Sequence, residues 1–275
     1  NIPQFDFGSG DEDVRSATRG WPKTVAFFQQ RLWFGGSGQR PHTLWGSQVA
    51  DYFNFDVGTG ADDDAIDVTL DTNQINALVA LMPARHLQLF TSGGEFYISS
   101  SPITPGNIAI KNQTRFGSSS TPPVNIDGAT LFLDYGQSSI REFLFSWEED
   151  AYTSNSATLL ASHLITTPVD MDARRGTSTE DANYVYVVNS DGTMAVFNTL
   201  RSQQVAGWTK WETTGDIEAV TVEGTEVWFA VKRTINSSTV YHLEKADPDT
   251  YTDANKSQTQ SSSTTVSNLA HLNGE

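Results

Sequence analysis

Polar and apolar positions alternate with a period of two along much of this chain, and the apolar positions are largely β-branched or aromatic. Glu226-Val227-Trp228-Phe229-Ala230-Val231 is the plainest example. That period puts successive side chains on opposite faces of a strand. Strands are predicted over residues 25–28, 31–35, 43–47, 66–70, 86–91, 95–99, 130–134, 140–145, 184–189, 194–199, 219–223, 226–232 and 240–245. Ser92-Gly93-Gly94, Asn189-Ser190-Asp191-Gly192 and Glu223-Gly224 join neighbouring runs and supply residues that tolerate positive φ, as tight hairpins require. Gly207-Trp208-Thr209-Lys210-Trp211 reads as one more strand, with its two indoles on opposite faces.

A unit recurs: an apolar strand, a turn, then an aromatic strand. Its copies start near Arg31, His86, Thr130, Tyr184 and Glu226, a spacing of about 40 to 55 residues. Propeller blades of four short strands have that period, and a β-sandwich also gives regular short strands. The expected fold is all-β, a propeller-like array of short antiparallel sheets with few short helices. Five copies make an incomplete ring or one completed by sequence outside this chain. A helix is predicted over 156–164, capped by Asn155 or Ser156, with Leu160 and Leu164 on one face. A second is predicted over 73–81.

Three parts are expected. Residues 1–19 read as an irregular N-terminal segment, 20–252 as the propeller-like domain, and 253–275 as a Ser/Thr-rich connector with the start of a further, cut region. Both ends look cut. Residues 173–181 look loosely packed as well. There is no cysteine, so disulfides and thiolate metal sites are excluded. No apolar run approaches the ~20 residues of a membrane-spanning helix, and no membrane partner is expected. The net charge of −16 makes tight nucleic-acid binding unfavourable. It fits two readings, simple solubility or an acidic lumen along which DNA slides.

Candidate chemistry is sparse. Asp62-Asp63-Asp64, with Asp67 and Asp71 nearby, is the densest carboxylate group and the candidate Ca²⁺ or Mg²⁺ site. Its spacing is not that of an EF-hand, and the competing reading is a solvated loop leading into strand 66–70. Ser190-Asp191-Gly192-Thr193 matches part of the Asp-box of sialidase propellers but lacks its spacers and tryptophan; a type I′ turn at Asp191-Gly192 is expected. Glu148-Glu149 are adjacent carboxylates, whereas glycoside hydrolysis needs two carboxyls facing each other across a sugar. His42, His86, His163, His242 and His271 lack metal-ligand spacing; His163 is read near a helix C-terminus. Gly35-Gly36-Ser37-Gly38 lacks the ending of a P-loop. The tryptophans are expected to fill cores, or else to form a sugar-binding platform. No catalytic residue and no cofactor is assigned.

Several separate segments carry a resemblance. They are Gly20-Trp21-Pro22, Gln30-Arg31-Leu32-Trp33-Phe34-Gly35-Gly36, Leu44-Trp45-Gly46-Ser47, Asp51-Tyr52-Phe53-Asn54-Phe55, Phe90-Thr91-Ser92-Gly93-Gly94-Glu95-Phe96, Gly128-Ala129-Thr130-Leu131-Phe132, Arg141-Glu142-Phe143 and Leu159-Leu160-Ala161-Ser162-His163-Leu164. In this order they resemble the tail nozzle (tail tubular protein B) family of short-tailed bacteriophages, most clearly from Gly20 to Ile165. The resemblance implies a structural virion-tail subunit. It implies a hexameric ring of this protein below the portal and adaptor, contacts with the adaptor and with tail fibre or spike proteins, and transient passage of DNA. It carries over no catalytic residue. Two other functions remain open, a carbohydrate- or receptor-binding virion module and a propeller glycosidase.

Overall fold

Turn chemistry sets the strand pairing. The computed structural model describes residues 4–6, 11–13, 17–71, 76–177, 181–247, 249–250, 252–256 and 270. In it Gln29-Gln30, Asp127-Gly128 and Asn236-Ser237 hold positive φ at both positions. Each pair closes a two-residue hairpin whose twist matches that of its strands. Gln29 is an unusual residue for this conformation. Its side chain accepts the Ile103 amide at 2.9 Å, a tertiary bond that holds it there.

Two expected turns differ. At Asp191-Gly192 only Gly192 is left-handed (φ 79°), and the Asn189 amide donates to the Thr193 carbonyl at 2.9 Å. The loop therefore has three residues and is not type I′. The Asp191 carboxylate fixes it by accepting the Thr193 amide at 3.0 Å and hydroxyl at 2.6 Å. Gly93 is not left-handed. It is glycine because a Cβ there would stand 2.0 Å from Asn76 Oδ1.

The chain divides into two units, residues 1–157 and 158–275. The first contains a two-stranded sheet of β1 (Gln4–Asp6) and β2 (Asp11–Asp13) and three four-stranded meanders. These are β3 (Thr24–Phe28), β4 (Arg31–Gly35), β5 (Thr43–Gly46) and β6 (Ile66–Thr69); β7 (Leu78–Pro83), β8 (Leu87–Thr91), β9 (Gly94–Ile98) and β10 (Ile110–Thr114); and β11 (Val124–Ile126), β12 (Ala129–Leu133), β13 (Ile140–Ser146) and β14 (Ala151–Ser156). The second unit holds β15 (Pro168–Arg174), β16 (Asn183–Asn189), β17 (Met194–Leu200) and β18 (Val205–Trp211), then a three-stranded sheet of β19 (Asp216–Glu223), β20 (Glu226–Ile235) and β21 (Ser238–Lys245). All pairs are antiparallel, and strands lie in sequence order within each sheet. The fold is the expected all-β array. The recurring unit read from the sequence starts at the second strand of every meander: β4, β8, β12, β16 and β20.

Within the first unit the sheets stack face to face. Trp33, Leu44 and Ile66 pack with Leu78, Leu87, Leu89, Phe96 and Ile98 in one core. The opposite face of the second sheet presents Ala80, Phe90 and Tyr97 to Phe132, Phe143 and Tyr152. Each fully buried Leu or Phe here contributes about 1.5–3 kcal/mol. Glu95 lies fully buried in β9, where it accepts the Thr114 and Ser118 hydroxyls and the Phe116 amide. In the second unit Tyr186, Val188, Met194 and Val196 meet Ile217, Val220, Val227 and Phe229. Carboxylates join these two sheets: Asp170 accepts the Val220 amide at 3.0 Å, and Asp172 the Val222 amide at 2.7 Å.

The helix predicted over 156–164 does not form. Residues 157–161 are turns, and Ser162–Leu164 is a single 3-10 turn. Leu160 is 93% exposed and Leu159 76%, so their apolar groups find nothing to bury against. A helix this short is marginal in water without such a face. Of the helix predicted over 73–81, residues 73–75 lie outside the described residues, and the rest leads into β7. Bulged pairing with β8 and burial on both sides decide in favour of strand there.

Candidate functional site

The acidic run is built over a buried cation. Arg31, at the start of β4, is 1% exposed. It donates to the carbonyl oxygens of Ser47 and Asp64 at 2.6 Å and of Asp62 at 2.7 Å. These bonds tie the long 47–65 excursion to the sheet. Burial pushes the guanidinium below its ordinary range, while the charges of Asp63 and Asp64 push it back up. The Asp64 carboxylate accepts the Thr59, Gly60 and Ala61 amides at 3.1, 2.9 and 2.8 Å. Asp62 and Asp63 are exposed. Asp67 pairs with Arg40 at 3.1 Å. Among the described residues no group of three or more His, Cys, Asp or Glu side chains converges as a metal site would require.

The remaining candidates are dispersed. Glu148 and Glu149 lie exposed on the β13–β14 hairpin loop. Beside them Trp147 is 72% exposed, with the Arg85 guanidinium over its ring at 4.0 Å. His86 is half-buried among Tyr97, Phe145 and Tyr152, and its Nδ1 lies 3.0 Å from the Tyr152 hydroxyl. Burial first, then the Arg85 charge, lowers its pKa. Burial raises that of Tyr152. His42 Nδ1 lies 2.9 Å from the Asn76 carbonyl. His163 is exposed on the 3-10 turn, and no helix dipole acts on it. His271 lies outside the described residues.

The tryptophans split by role. Trp33 and Trp45 are fully buried, while Trp21 and Trp147 project into solvent. Trp208 stacks on Phe197 at 4.6 Å, and Trp211 meets Tyr186 and Phe229. The Asp-Tyr-Phe-Asn-Phe motif divides too. Phe55 is buried against Phe34, whereas Phe53 is 80% exposed and Tyr52 meets the exposed Phe27 edge-on.

Sequence reasoning missed one concave feature. An open cleft of about 870 Å³ lies in the second unit, lined among others by Trp211, Trp228, Phe229, His242, Glu244 and Lys256. Arg233, 1% exposed, braces it. Its Nε and Nη2 donate to Glu244 at 2.8 and 3.0 Å, and it also bonds the Thr214 carbonyl. The period-two pattern of β20 marked the face of Val227, Phe229 and Val231, but nothing local marked the approach of residues 252–256.

The family described as bacteriophage nozzle protein matches this chain over residues 23–270. No curated protein matches it. Among solved structures, the crystal structure of BBS1N in complex with ARL6DN, soaked with mercury, is 12% identical with a TM-score of 0.44. That match covers 80% of this chain, which spans only 57% of that one. The luciferin-regenerating enzyme is 9% identical with a TM-score of 0.33, covering 82% of this chain and 90% of that one. At such scores neither structure bears on function.

Proposed function

Because this chain belongs to the bacteriophage nozzle protein family, and is therefore a structural component of the virion tail, we propose that it forms part of the wall of the DNA-ejection conduit. In this reading it assembles as a ring, a hexamer, below the portal and adaptor and carries fibre or spike proteins outside. The observation that carries the reading is the family match over nearly the whole chain. Two physical features support it. The sheets of the first unit are stacked through continuous cores, which suits a rigid wall. The net charge of −16 offers a phosphate backbone no deep electrostatic trap.

The protein works without hydrolytic chemistry of its own. Its buried or loop-fixing carboxylates, Glu95, Asp64, Asp170, Asp172 and Asp191, are occupied with amides and hydroxyls of the fold. A second reading, a receptor-binding module, is favoured by the exposed Trp147 and its stacked Arg85. Imaging of purified tails together with a duplex-DNA gel shift separates these readings. A ring of this protein and weak DNA binding at physiological salt are expected. Single copies per tail, or submicromolar DNA binding, would remove the conduit.

A further inference from the structure

Two hairpins of the first unit meet at one end of its stacked sheets. The β13–β14 ladder closes at the Ser146–Ala151 pair and leaves Trp147-Glu148-Glu149-Asp150 as its loop, with Asp150 left-handed (φ 49°). The β7–β8 hairpin turns through Ala84-Arg85-His86, where the Ala84 amide donates to the His86 carbonyl at 3.2 Å. Arg85 reaches from that turn to the first loop. Its guanidinium stands 4.0 Å from the centre of the Trp147 ring and 5.1 Å from that of Phe145. Phe145 lies perpendicular to Trp147 at 5.3 Å and is itself backed by His86 and Tyr152 at 5.6 and 5.2 Å. The position of the indole is therefore set by packing before anything binds to it.

Trp147 keeps 72% of its surface in water. An indole covered on both faces could not do so, and the face away from Arg85 is open. Among the described residues neither Arg85 nor Glu148 nor Glu149 makes a hydrogen bond or an ion pair, in contrast to the carboxylates that fix the fold. The result is a fixed apolar plane bordered by unused planar donors and unused acceptors.

A saccharide ring has the matching division. The C–H groups of one face are apolar, and the hydroxyls at its rim both donate and accept. Charge narrows the class. The Glu148, Glu149 and Asp150 carboxylates outnumber the exposed cations of Arg85 and Lys111 around this end, so a uronate, a phosphate or a nucleic acid is repelled. The charged loop also differs from the apolar, water-excluding surroundings of a protein–protein hot spot. We propose that Trp147, Arg85, Glu148 and Glu149 form a binding site for a neutral saccharide. The sugar ring stacks on the open indole face, Arg85 donates to its hydroxyl oxygens, and the two glutamates accept from its hydroxyls. This deepens the receptor-binding reading above and rests on it, independently of the conduit.

The probes are neutral hexasaccharides of glucose, of galactose and of N-acetylglucosamine, with hexagalacturonate as the acidic counterpart. Calorimetry on the full chain should find a neutral probe that binds with a Kd of about 1 mM or tighter, and hexagalacturonate about tenfold weaker or worse. Trp147→Ala should weaken neutral binding about tenfold or more at an unchanged Tm, since the ring is exposed. Trp147→Phe should retain part of it. Arg85→Lys keeps the charge but loses the planar fork, and should weaken binding less than Trp147→Ala. No binding by any neutral probe, binding indifferent to Trp147→Ala, or tighter binding of hexagalacturonate overturns the proposal. Tails carrying Trp147→Ala should image as native tails do; a lost assembly would make Trp147 a subunit contact and overturn the site. Saccharide binding by a chain whose native tails hold no ring removes the conduit and leaves the site standing.

Discussion

The sheet β7–β10 and the sheet β19–β21 are made of similar hairpins and end in opposite states. Every residue of β8 and β9 is buried, whereas no residue of β21 is. The difference lies in what covers each face. The β7–β10 sheet has a neighbouring sheet on both sides, through Leu87, Leu89 and Phe96 on one face and Phe90 and Tyr97 on the other. The last sheet has one well-filled face, carried by Val227, Phe229 and Val231. A strand's alternation specifies that it has faces, not how many of them find a partner.

The sharpest way to break this comparison is truncation. Phe90→Ala should cost about 3–5 kcal/mol, as large core cavities do. Leu243→Ala should stay within about 0.5 kcal/mol, as exposed sites do. Urea denaturation of both variants measures the contrast, and comparable losses would mean that β21 is covered in solution. Next in size is the fate of a cation. Arg31→Met leaves the carbonyls of Ser47, Asp62 and Asp64 without their donor. It should cost about 2–3 kcal/mol, the range for a lost charged hydrogen bond. Lys245→Met, at a surface pair with Glu226, should cost about 1 kcal/mol or less.

The smallest effect is a pH dependence. Burial raises the Glu95 carboxyl above its usual value of 4.5, while the Thr114 hydroxyl, the Phe116 amide, the Ser118 hydroxyl and the Arg141 charge pull it back. A raised folded pKa means that the fold prefers the neutral acid. The stability it contributes is fully present below the unfolded pKa and is lost as pH rises through the folded one. Glu95→Gln stays neutral throughout. Its stability relative to the native chain should therefore increase as pH rises from about 4.5 towards neutrality. A difference that stays flat over that range would show that Glu95 ionises in the fold as freely as in water.

How legible the fold was depended on position within each sheet. The inner strands that are buried on both faces stood out because they are mostly apolar: Leu87-Gln88-Leu89-Phe90 and Val185-Tyr186-Val187-Val188 are examples. Outer strands were harder to see. β10 reads Ile-Lys-Asn-Gln-Thr and β14 reads Ala-Tyr-Thr-Ser-Asn-Ser, polar sequences that pair because a neighbour offers a ladder. β7 looked helical, since leucines and alanine suit either state and only its bulged pairing with β8 decides. Of the candidate site residues, Asp62, Asp63 and Asp64 were legible as an acidic run. The arginine beneath them was not, because it lies 31 to 33 residues away in sequence.

The sequence by itself determined the strand-and-turn grammar, the acidic charge and the family. Each is a local or summed property: alternation, left-handed turn positions, residue counts and ordered motifs. Tertiary structure alone decided which faces were covered, where Arg31 and Arg233 were buried, and that β21 was left exposed. Those outcomes depend on the approach of segments distant in sequence, whose burial and hydrogen-bond partners no local pattern records.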